Sequence, residues 1–138
     1  MKSLELINDY LDEIGIEGIF EYLPDGKPVL TFEYKTKMSE FWIAVEEVND
    51  NGKQIKLYSI LSSVSKEQKE DVCKILNDFN KKYSYVKFSC QKTQEGDFIF
   101  ASHCIPSLDS GIVDYFAKIM KEFALVIDDA SFSLALIL

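Results

Sequence analysis

Few residues in this chain are equipped for covalent chemistry. His103 is the single histidine, and it precedes Cys104, one of three cysteines with Cys73 and Cys90. A Cys–His pair supports nucleophilic catalysis when the imidazole reaches the thiol. Neighbours on a strand point to opposite faces, so His103 is badly placed to serve Cys104, and Cys90 across a hairpin is the local partner left to it. Free cysteine is more usually a small buried hydrophobe, and Cys73 and Cys90 are expected to pack that way. A zinc site needs about four ligands at paired short spacings. This chain has no C-x-x-C and no H-x-x-x-H.

The acidic clusters are Asp9/Asp12/Glu13, Glu46/Glu47/Asp50 and Asp128/Asp129. Paired carboxylates do acid–base work when burial separates their pKa values, but the first cluster falls on the polar side of a helical pattern. Asp50-Asn51-Gly52 resembles the start of a calcium loop and lacks its spaced ligands and distal glutamate. The six glycines are scattered singly, with no phosphate-binding loop. No catalytic residue, cofactor or metal site is therefore expected.

Composition narrows the function classes further. The chain has 138 residues, 47% of them hydrophobic and 28% charged, as in a soluble globular protein of one domain spanning residues 1–138. Its formal net charge is −8, and all 15 basic residues are lysine. A nucleic-acid binder needs a basic footprint and favours arginine, so no nucleic-acid role is expected. The opening MKSLELINDYLDEIG carries acids and no apolar run, unlike a signal peptide. No stretch approaches the roughly 18 apolar residues of a membrane span. An odd number of widely spaced cysteines is no disulfide framework, and a reducing cytoplasm is the expected compartment.

The elements follow from periodicity. Leu4, Ile7, Tyr10, Leu11 and Ile14 after Ser3 predict a helix over residues 4–14, stopped by Gly15. Pro24-Asp25-Gly26 is a turn between strands near 17–22 and 29–35. Strands at 40–48 and 54–63 flank Asn49-Asp50-Asn51-Gly52, a strong hairpin signal. Ser65 with Gln68 has the capping-box pattern and predicts a helix over 66–80, with the stripe Val72, Ile75, Leu76 and Phe79. Two strands, 84–91 and 97–104, turn around Glu95-Gly96. Pro106, Ser107, Asp109 and Ser110 offer start signals for a third helix, whose stripe runs from Ile112 toward Ile127. Tight turns pair strands antiparallel, and the helices must cover a sheet face, which is an α+β fold. The apolar tail Phe132 to Leu138 is expected to pack into its own core.

Strands 40–48 and 54–63 carry apolar residues on both faces. Phe41, Ile43 and Val45 oppose Trp42 and Ala44, and Ile55, Leu57 and Leu61 oppose Tyr58 and Ile60. A sheet covered on one side reads polar on the other, so the second set needs a cover. Helix two is one candidate; another polypeptide is the other.

The run Ile75-Leu76-Asn77-Asp78-Phe79-Asn80 followed by Val86-Lys87-Phe88 resembles the L-N-x-x-N helix end and following strand of YbjN-like proteins, a bacterial family of sensory transduction regulators. The order α-β-β-β-α-β-β-α also resembles the type III secretion chaperones; an extra short strand near 17–22 and the apolar C-terminal end depart from that pattern. The resemblance implies a secretion-chaperone-like fold and a non-enzymatic, homodimeric protein that binds another protein or peptide segment. Trp42, Tyr58 and Ile60 are the residues expected to make that contact. A rival expectation is a small enzyme or ligand-binding domain, with Cys90, His103 and Tyr85 at the mouth of a pocket on the curved sheet.

Overall fold

The computed structural model describes residues 2–49, 53–106 and 111–138. Helix α1 (Lys2–Glu13) leads into four strands, β1 (Ile19–Tyr22), β2 (Pro28–Lys35), β3 (Glu40–Asn49) and β4 (Lys53–Val64). Helix α2 (Lys69–Lys82), the hairpin β5 (Lys87–Thr93) and β6 (Gly96–Pro106), and helix α3 (Ile112–Ala135) complete the chain. The six strands form one sheet in the order β1-β2-β3-β4-β6-β5. Every neighbouring pair is antiparallel. The fold is α+β, and the short strand suspected near 17–22 is β1.

Turn chemistry sets these registers. The Gly26 N–H donates to the Leu23 carbonyl at 2.8 Å across Pro24-Asp25, and Gly26 has φ +87°, a value that L side chains resist. Gly15 is left-handed as well, at φ +80°, and the Ile16 N–H closes α1 on the Leu11 carbonyl at 2.8 Å. Asn49 pairs with Lys53; the predicted turn residues 50–52 between them lie outside the described residues.

One face of the sheet carries the core. Leu30 and Phe32 of β2, Ile43 and Val45 of β3, and Ile55 and Leu57 of β4 are fully buried. Phe116 of α3 meets Phe32 and Tyr10 edge-on, each at 6.3 Å between ring centroids, which joins α1 and α3 over this face. Helix α2 packs at the far edge of the same face. Its Phe79 lies 5.2 Å from Phe88 of β5, whose register partner is the buried Ala101.

Three expectations are corrected. Helix α2 starts at Lys69 rather than 66, because Ser65 and Gln68 spend their side chains on each other, Oγ to Oε1 at 2.9 Å, one turn upstream of the helix. Pro106 ends β6 instead of opening α3; the start signals Ser107, Asp109 and Ser110 lie outside the described residues. The apolar tail does not pack into the core as a unit. Helix α3 runs on to Ala135, which turns Leu134 inward and leaves Phe132, Leu136, Ile137 and Leu138 exposed.

Candidate functional site

The opposite face of the sheet has no described helix over it, because α2 joins α1 and α3 on the core side. Strand parity alone determines which side chains stand there. One row crosses the sheet from Ile19 through Thr31, Ala44 and Tyr58 to Ser102. Trp42 and Ile60 flank that row and are 52% and 53% exposed, values reserved for surface positions. Phe100 stands opposite Ile60 in register, and its ring lies 6.5 Å from that of Tyr58. The structure thus places Trp42, Tyr58 and Ile60 together on one open surface. Phe100, Phe98 and Ile19 belong to the same surface and were not singled out from the sequence. Their signal was the alternation Phe98, Phe100 against Ile99, Ala101.

Around the aromatic patch the charges are mixed, with carboxylates in the majority. Glu21 and Glu46 lie close enough to Tyr58 to act on its titration: burial first, then Glu46 and Glu21, push its phenol above the ordinary value of 10.0. Lys56 places its ammonium 5.5 Å from the centre of the Tyr58 ring, within cation–π range. Glu33 stands opposite Trp42 in register.

The β3–β4 ladder stops short of the strand ends. It runs from Asn49↔Lys53 to Ala44↔Tyr58, and no further register pair joins the two strands. Beyond that point the Ser59 hydroxyl donates to the Trp42 carbonyl at 2.7 Å, a side-chain bond in place of a backbone one. The β4–β6 register also shifts between Ile60 and Ser62, as at a bulge that bends one strand. A cavity of about 820 Å³ opens where the strands part.

The histidine does not converge with the thiols, although Cys73 lies near enough to Cys90 to act on its titration. His103 and Cys104 point to opposite sides of β6; Cys104 is exposed, and so is Cys73 of α2. The expectation of a packed Cys73 is therefore corrected: it follows the inward Val72 by one residue and is turned away from the core. Cys90 does pack against the core. Burial, then Asp97 and Cys73, push its thiol above the ordinary value of 9.0, although Lys69 opposes this, and a thiol held protonated is a poor nucleophile. The His103 Nδ1 donates to the Tyr85 carbonyl, and the two rings meet edge-on at 5.8 Å. Its Nε2 is buried and has no hydrogen-bond partner among the described residues. Cys90 pairs with Ile99, four residues along β6 from His103, a separation of roughly 13 Å. His103 and Tyr85 are thus together, and Cys90 is apart from them. Among the described residues no cluster of three His, Cys, Asp or Glu side chains could hold a metal. No described helix is long and apolar enough to cross a membrane.

A six-stranded antiparallel sheet with three helices on one face and aromatics on the other defines an α+β protein with an exposed sheet surface. The family model for YbjN, described as "Putative bacterial sensory transduction regulator", matches residues 3–110, and the chain belongs to the YbjN family. A crystal structure of YbjN from E. coli, titled "a putative transcription regulator", shares the fold with a TM-score of 0.68. That match covers 94% of this chain and 89% of the other at 11% sequence identity. No curated protein matches the sequence.

Proposed function

We infer that this chain is a non-enzymatic regulatory protein of the cytoplasm that works by binding another polypeptide on its open sheet face. One observation carries the reading: Trp42, Tyr58 and Ile60 line one opening on the sheet face, Phe100 adjoins Tyr58 and Ile60, and no described helix lies over them. Soluble proteins rarely leave such a patch uncovered without a use for it, and aromatic anchors dominate binding energy. The family's description as regulators is in keeping with a binding role. The acidic surface supplies solubility and some choice of partner.

The reading includes self-association through a second surface. Leu125, Phe132 and Leu136 lie on the outer side of α3 and are all exposed. This stripe belongs to the core-side layer, away from the open sheet face, so a homodimer built on it leaves that face free.

Affinity capture from the native cell tests the first surface. The wild type, Trp42→Ala and Ile60→Asp are compared at equal loading, with thermal unfolding as a control for folding. A polypeptide that co-purifies with the wild type is expected to fall at least about tenfold in both variants. An unchanged set of co-purifying polypeptides in two folded variants would remove the open face from consideration.

A further inference from the structure

The gap between β3 and β4 is more than a flaw in the ladder. Its cavity is lined by Trp42, Ala44 and Ile60 from the open side and by Ile127 and Ser131 of α3 from the core side. It therefore passes between the parted strands, with its mouth beside the aromatic patch and its floor on a helix. A volume of about 820 Å³ is ample for the largest apolar side chain, and concave, mostly apolar sites of this size are where ligands are usually held. The exposed Trp42 stands at the mouth.

Carboxylates outnumber cations around it, although Lys35 stands opposite Glu40 and Lys56 opposite Glu46 in register. Glu21 and Glu40 line the cavity, and among the described residues no lysine or histidine does. Glu40 has Lys35 at 3.6 Å, with both side chains mostly exposed, and such a surface pair is weak enough to yield to a better-placed cation. Glu33 and Glu46 stand in the flanking register rows, and the upward push of Glu46 and Glu21 on Tyr58 reports the same negative field. An anion at this mouth would be repelled, and a neutral chain would leave the carboxylates unused.

We propose that this opening is an anchor socket that takes one large apolar side chain from an extended partner segment carrying lysine or arginine beside it. The proposal rests on the open face being the partner-binding surface and specifies what that partner presents there. In an extended chain, residues two apart share a side. A cation two positions from the anchor thus faces the Glu21 and Glu40 rim while the anchor enters between the strands. Ser131 lies inside the cavity and offers its hydroxyl to the segment's backbone, while the Ser59 hydroxyl, which donates to the Trp42 carbonyl, is left only to accept. The remaining aromatic surface, Tyr58 and Phe100, bears the rest of the strand.

Trp42 is the only tryptophan of the chain, so its fluorescence reports the socket directly. The full chain is titrated with three capped pentapeptides: Lys-Ser-Phe-Ser-Lys, Glu-Ser-Phe-Ser-Glu and Lys-Ser-Ala-Ser-Lys. The first is expected to shift the Trp42 emission and to bind at least about tenfold tighter than either other. Ser131→Leu fills the floor from α3 without touching the open face and is expected to remove that binding by a similar factor. Glu21→Gln with Glu40→Gln, two surface changes that spare the fold if Ser131→Leu does not, is expected to erase the preference for lysine over glutamate. Binding that survives in folded Ser131→Leu but fails in Ile60→Asp would overturn the socket and leave the open face standing. Equal binding of the lysine and glutamate peptides, or no response from Trp42 up to about 1 mM peptide, would overturn the cationic anchor. Loss of the open-face reading itself shows separately, as unchanged capture by Trp42→Ala and Ile60→Asp.

Discussion

Tyr58 illustrates how a single side chain combines packing and charge on the open face. Its ring leans on Phe100 and receives Lys56 on its face, while its hydroxyl lies in the field of Glu46 and Glu21. Burial and both carboxylates disfavour the phenolate, so the folded protein holds this proton more tightly than the unfolded chain does. Stability from this source is whole below the unfolded value of 10.0 and is lost as pH rises through the higher folded value. Tyr58→Phe cannot ionise at that position. Its urea-unfolding free energy, measured at stepped alkaline pH, is expected to fall less steeply than that of the wild type above pH 10.0; identical slopes would show that the phenol is free of its surroundings. The outward position of Tyr58 was legible in the sequence, because Leu57 beside it is a core residue and strand neighbours alternate. The proximity of Glu21 was not, since it depends on where β1 lies in the sheet relative to β4, with β2 and β3 between them. The same limit explains Cys73, where a helical turn decides which of two adjacent residues is buried and the apolar character of a thiol misleads.

The joint between α2 and β5 is the best example at the scale of elements. Asn80 was expected to terminate the helix, yet α2 continues to Lys82 and the Tyr83 N–H still reaches the Phe79 carbonyl. Instead the Asn80 amide donates to the Phe88 carbonyl at 3.0 Å and accepts the Phe88 N–H at 2.7 Å. β5 is an edge strand, and an edge presents backbone groups that invite another chain. Asn80 occupies one such pair of groups, so the helix end seals the strand it precedes. Asn80→Ala is expected to cost about 1–3 kcal/mol of unfolding free energy. It should also speed amide exchange at Phe88 while leaving β2 and β3 unaffected. Asn80→Asp should not rescue it, because its second oxygen would face the Phe88 carbonyl. A variant as stable as the wild type would make the clasp incidental. Element order, hairpin turns and the inward stripe of each helix could be read from periodicity. The early end of the β3–β4 ladder could not, because both strands have ordinary alternating sequences and the parting arises from the Ser59–Trp42 bond and the shift in β4.

At the scale of the whole molecule, apolar surface is left uncovered in two places among the described residues, and different occupants are proposed for them. The open sheet face has more carboxylates than lysines around it and is the surface proposed for a cationic segment. The outer stripe of α3 is the surface proposed for a second copy of the chain, and its charges are compatible with that proposal. Lys118, Lys121, Leu125, Asp129, Phe132 and Leu136 follow one another at spacings of three and four and share one side of the helix. Two such helices laid antiparallel across Leu125 bring Lys121 to the partner's Asp129 and cover Phe132 and Leu136 at both ends. Asp129 already holds Lys82 at 3.0 Å, which orients its carboxylate before any partner arrives. The sequence pointed to an apolar tail and assigned it to the core. That assignment failed because the inner side of α3 is already filled by Phe116, Phe123, Ile127 and Leu134, and a helix can bury only one side against a single sheet. Sedimentation velocity at tens of micromolar is expected to show a dimer for the wild type and a folded monomer for Leu125→Glu. Phe132→Glu should weaken association by at least about tenfold, and neither variant should alter the response of Trp42 to the lysine pentapeptide. A wild type that stays monomeric at that concentration would leave the α3 stripe without a second copy, whereas a dimer untouched by Leu125→Glu would move the contact elsewhere on the molecule.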